Sequence, residues 1–118
     1  MVAKRGQGYR HLPAFILLAL TQKAMHGGAI HSFLQESLPS FHTDTGAVYR
    51  CLQEMEKHGA VESVWDTSEA GPAKRIYHMT SLGWEKLDEC KQDIEDRVAN
   101  LTYFLREYEQ LSRPNESL

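Results

Sequence analysis

The chain has 118 residues, a formal net charge of -3 and an apolar fraction of 42%, which is the size of one domain with the balance of an ordinary globular protein. These figures argue against a globally basic nucleic-acid coat, a disordered chain or a fibrous repeat. The most apolar run, Phe15 to Leu20, is soon followed by Gln22 and Lys23 and falls short of the roughly 18 residues a membrane span needs.

The first eleven residues, MVAKRGQGYRH, read as a flexible basic arm carrying Lys4 and Arg5. A first helix is expected from LPAFILLAL, because proline is favoured in the first helical turn, where its missing N–H is no loss. It lacks a small-x-small cleavage site after it, so a secretory signal is not indicated and a cytoplasmic, bacterial-type protein is the simplest expectation. MHGG then interrupts the pattern and lets the chain turn. From Ala29, the residues Ile30, Phe33, Leu34 and Leu38 form a helical apolar stripe that ends at Pro39. A third helix fits TDTGAVYRCLQEMEKHG. Thr43, Asp44 or Thr45 is available as N-cap, Val48, Leu52 and Met55 lie on one face, and Gly59 acts as terminator.

The period then changes. AVESVWD and RIYHMT carry β-branched and aromatic residues with partial alternation around the turn-rich TSEAGPAK, which predicts a β-hairpin with a projecting tip. Thr80 or Ser81 can cap a last helix from about Leu82 to Leu111. Its residues Ile94, Val98, Leu101, Leu105 and Tyr108 are spaced 4, 3, 4, 3, a heptad seam that Leu87 extends toward the domain. The order predicts a mainly α (α+β) protein: a winged helix-turn-helix with a two-stranded β wing and a long C-terminal dimerisation helix. Residues 12–81 would form the DNA-binding domain, 82–112 the dimerisation helix and 113–118 a disordered tail.

The charge is uneven in a way that suits this reading. Residues 1–83 hold eight Lys/Arg against seven Asp/Glu, and residues 84–118 hold five against nine. On the third helix, Thr43, Thr45, Gly46, Tyr49, Arg50 and Gln53 fall toward the start and outer side. Hydroxyls and backbone amides there suit phosphate, while Arg and Gln suit base edges. The plain alternative is a solvated face, and for Tyr49 a ring packed into the core. Lys74 and Arg75 flank the hairpin tip, where they could meet phosphates or simply protect a strand edge. Tyr77 reads as a packing residue. The seam Leu87, Ile94, Val98, Leu101, Leu105 and Tyr108 is the expected homodimer interface, because so long a helix exceeds what the domain can cover.

Cys51 and Cys90 are far apart and read as reduced, mostly buried thiols. Six scattered histidines lack metal-site spacing. With no catalytic constellation and no phosphate loop, neither an enzyme nor a cofactor is expected. A protein-interaction or polymer-surface module without DNA binding is the rival reading.

The stretches HGGAIHSFL, TGAVYRCLQEMEKHGAVESVWD and GPAKRIYHMTSLG, in that order, resemble the PadR family of bacterial winged-helix transcriptional regulators. Gly46 and Tyr49 match its G-x-x-Y helix, Glu56 and Gly59 its helix end, Gly71, Pro72, Arg75 and Tyr77 its wing, and Thr80 and Gly83 its cap. Gly28, Ala47 and Arg50 depart from its common residues. The wing wording looks closest to a subgroup described as responding to polyhydroxybutyrate. The resemblance implies a homodimer held by the C-terminal helix, binding double-stranded operator DNA, usually as a repressor, with release by a small-molecule effector in many members.

Overall fold

The computed structural model describes residues 10–68 and 70–114. Three helices come first, α1 (Leu12–Leu20), α2 (Gly27–Ser37) and α3 (Thr45–Lys57). An antiparallel hairpin, β1 (Val61–Asp66) with β2 (Lys74–Met79), follows, and then α4 (Ser81–Glu109). The predicted winged helix-turn-helix with its β wing is the architecture observed.

α1 takes Pro13 into its first turn and buries Leu12, Ile16, Leu17 and Leu20, as its near-continuous apolar character requires. Ile30 and Leu34 of α2, Val48, Leu52 and Met55 of α3, and Val61 and Tyr77 of the wing close on it as a single core. Phe33, expected on the α2 stripe, is instead 37% exposed.

α2 also begins earlier than the sequence suggests. His26 caps it, accepting from the Ala29 amide through Nδ1 at 3.2 Å, so the two glycines form its first turn instead of a break. The reason lies across the motif. A side chain at Gly27 would overlap the Tyr49 ring, with Cζ only 2.6 Å from an added Cβ.

α3 has Asp44 as its N-cap, with Oδ1 accepting from the Ala47 amide at 2.7 Å, and ends before Gly59, whose φ of 84° is left-handed. Val61 pairs with Met79 at the base of the hairpin and Asp66 with Lys74 at its tip. Met25, between α1 and α2, adds a bridge to Tyr77 through N···O bonds of 3.1 and 2.9 Å, tying the helix-turn-helix to the returning strand.

α4 starts where α3 and the wing meet. The Thr80 hydroxyl donates to the Gly59 carbonyl at 2.6 Å and accepts from the Gly83 amide at 3.0 Å. Gly83 lies against the Ala60 carbonyl with no room for a Cβ. Beyond Ile94 the helix leaves the domain, and the described residues span 67 × 30 × 22 Å.

Candidate nucleic-acid interface

The outer side of α3 is built by exclusion. Once Val48, Leu52 and Met55 are committed to the core, the helical period leaves Thr45, Gly46, Tyr49, Arg50 and Gln53 exposed. Thr45, Tyr49 and Gln53 follow one another at intervals of four, as do Gly46 and Arg50, so they form two adjacent rows. The Arg50 guanidinium folds back over Gly46, with Nη1 3.2 Å from where a Cβ would stand.

Thr43 departs from the expected outward row. It is buried, and its hydroxyl finds no hydrogen-bond partner among the described residues. Its carbonyl accepts from His31 Nε2 at 2.6 Å, while the His31 ring meets Phe41 edge-on at 5.4 Å. This backbone anchor fixes the approach to α3, and it turns the Thr43 side chain inward before the helix begins.

Tyr49 is neither fully buried nor fully exposed. Its ring covers Gly27, yet 38% of the residue remains exposed, with the hydroxyl toward Gly28. Tyr77 is only 2% exposed and is a packing residue. Burial pushes its phenol pKa up, and Glu56 adds to the effect.

Across from α3, the wing carries Lys74 and Arg75 on β2. Lys74 is exposed opposite Asp66, whose carboxyl the Ser68 hydroxyl and amide hold below its ordinary pKa, with Lys74 assisting. Arg75 is not a free cation. Its Nε donates to Ser63 Oγ at 2.8 Å, its guanidinium stacks over Trp65 at 5.1 Å, and Glu56 lies 3.9 Å away. His26, Tyr49, Gln53, Trp65, Lys74 and Arg75 line a cleft of about 420 Å³ between helix and wing. Trp65 was not among the residues expected to face DNA. Its signal was its place two residues past Ser63, on the same face of β1.

Lys4 and Arg5 lie outside the described residues. Of the seam residues, Leu87 packs against the core and Ile94 is half-buried, while Val98, Leu101, Leu105 and Tyr108 are 47–63% exposed. The two thiols are unpaired and half-buried. Burial and then Glu54 push Cys51 up to about 11, so it is protonated at neutral pH and a poor nucleophile.

The family model "Transcriptional regulator PadR-like family" matches residues 16–89, which includes both α3 and the wing. The chain belongs to the PadR-like family of transcriptional regulators. Curated proteins yield no match at a comparable level of similarity. Among solved structures, a PadR-like transcriptional regulator from Bacillus cereus is 27% identical with a TM-score of 0.67, covering 80% of this chain and 91% of that one. A putative transcriptional regulator from Thermoplasma acidophilum (23% identical, TM-score 0.73) covers 83% of this chain and 93% of that one. A PadR family regulator from Clostridium difficile (22% identical, TM-score 0.69) covers 80% and 98%. The last two show a shared fold. The PadR-like family is one of transcriptional regulators rather than enzymes, and none of the helices described is long and apolar enough to cross a membrane.

Proposed function

We propose that this PadR-like chain is a homodimeric repressor that binds a palindromic DNA operator in the cytoplasm. α3 would enter the major groove and Lys74 would meet phosphates at the flank. The observation that carries the reading is the outward pair of rows on α3, Thr45–Tyr49–Gln53 and Gly46–Arg50, beside a wing that presents Lys74. Arg50 and Gln53 are the base-reading side chains, since Arg suits guanine and Gln adenine in bidentate pairs. Thr45 and the Gly46 amide suit a phosphate at the helix start.

The partner surface in this reading is the exposed seam Val98, Leu101, Leu105 and Tyr108, continued by Ile94 and Leu87. A small-molecule effector has a suitable apolar hollow of about 390 Å³ beside it, lined by Phe15, Leu18, Leu87, Cys90 and Ile94.

The test is binding to the chain's own promoter fragment across a salt series. Affinity should fall steeply with salt as phosphate counterions are released, and a flat response would remove the DNA reading. On that fragment, Arg50→Ala should shift base preference by about 1–3 kcal/mol at one position per half-site. A uniform loss across sequences would make Arg50 a backbone contact instead.

A further inference from the structure

A carboxylate stands beside Arg75, one of the residues that line the cleft, where a surface for polyanionic DNA would be expected to avoid one. Glu56 stands on the last turn of α3 and has its side chain 29% exposed. Glu56 Oε2 accepts from the Ser63 hydroxyl at 2.7 Å, Ser63 Oγ accepts from Arg75 Nε at 2.8 Å, and the Arg75 guanidinium is 3.9 Å from the same Glu56 oxygen. The Ser63 hydroxyl has one proton, given to Glu56, and lone pairs free to accept from Arg75, so the chain of bonds has one consistent direction. The guanidinium then lies over Trp65, which is Arg75's cross-strand partner.

We propose that Glu56, Ser63 and Arg75 form a brace that fixes the wing's angle against α3. On the DNA-binding reading above, on which this rests, Glu56 and Ser63 are then positioning residues that act without touching DNA. The brace joins α3 to both strands of the hairpin, whose pairing runs from Val61–Met79 out to Asp66–Lys74. At the base, the Met25–Tyr77 bridge and the Val61–Met79 pair already hold the sheet. Further out, Val64 and Trp65 are 58% and 61% exposed, with the Arg75 guanidinium over the Trp65 ring. Of the side-chain hydrogen bonds between those two regions among the described residues, those of the brace reach the recognition helix. The brace also accounts for Glu56: a carboxylate beside an arginine presents little net charge to a phosphate, and a planar guanidinium that stacks on Trp65 while its Nε bonds Ser63 is a geometry that lysine cannot reproduce.

The sign of one substitution separates this role from plain electrostatics. Removing a negative charge beside DNA should raise affinity, so Glu56→Gln would strengthen binding if Glu56 were only a charge. The brace predicts the opposite. Ser63→Ala changes no charge and Arg75→Lys keeps the cation. Each should weaken binding to the promoter fragment by about three- to thirtyfold, and the pair should cost less than the sum of the two. The salt slope should be unchanged, since the phosphate contacts are retained. In the free protein, amide exchange should quicken in residues 61–66 and 74–79 while α1 stays protected, which also shows that the fold survives. Wild-type affinity in both variants, or tighter binding by Glu56→Gln, overturns the role. Unaltered exchange with normal wild-type binding removes the brace and leaves the DNA reading intact. Wild-type protein that binds no DNA, with the exchange response still present, removes the DNA reading and the positioning role with it.

Discussion

Gly27 and Tyr49 are 22 residues apart and share one small volume, the ring occupying what a side chain would fill. Gly27→Ala should therefore force the ring outward or the helices apart and cost roughly 1–3 kcal/mol, the usual range for overpacking. The check is urea denaturation, and the cost should shrink when the same change is made in a Tyr49→Ala background. Sequence reasoning left Tyr49 divided between core and groove because its partner is a missing side chain on another helix, which leaves no mark in the local pattern. The surroundings of Arg75 are hidden for a related reason. Its neighbours in sequence show only a cation beside a hairpin tip, suited to phosphates or to edge protection, whereas Ser63 and Trp65 reach it across the strands. Thr43 looked like a helix-start hydroxyl, but the tertiary bond from His31 to its carbonyl orients it inward. The residues read correctly, Tyr77 and the core triad of α3, are those whose fate follows from local periodicity.

The elements were more legible than the site because their ends are written locally. Asp44 before α3, Gly59 after it and Thr80 before α4 carry their signals within three or four residues. The exception is the start of α2, where two glycines mean a turn by local rules and a tight helix crossing in fact. Nor could the Met25–Tyr77 bridge be foreseen, since a pairing across some 50 residues has no short-range signature. Thr80 does more than an ordinary cap, because the same hydroxyl also holds the carbonyl of Gly59 at the end of α3. Thr80→Ala should cost about 1–2 kcal/mol, at the upper end for a lost cap, with Thr80→Ser recovering most of it. Thermal melts of the three proteins would show the order, and equal melting points would mean that solvent replaces both bonds.

At the scale of the molecule, the radius of gyration is 18.3 Å, against about 13–14 Å expected for a compact domain of this length. The excess is α4. Its outer half exposes Leu101, Phe104 and Leu105 at 59–63%, a contiguous apolar surface of the kind that marks an association site. Leu101→Asp should convert a dimer to monomers by light scattering, and it should abolish tight operator binding while leaving the melting of the winged-helix core nearly unchanged. A persistent dimer would place the partner surface elsewhere. The heptad spacing made this seam visible in the sequence, but periodicity says only that a stripe is apolar and not what covers it.

The junction at Gly83 has a mechanical consequence. Because backbone meets backbone there without an intervening side chain, the start of α4 is seated directly on Ala60, just past the end of α3. Helix α4 is then a lever about 43 Å long, and a tilt of roughly 5° at its far end moves the other end by about 4 Å. On the proposed dimer, a molecule seated in the hollow between α1 and α4 would change the separation of the two α3 helices without touching either of them.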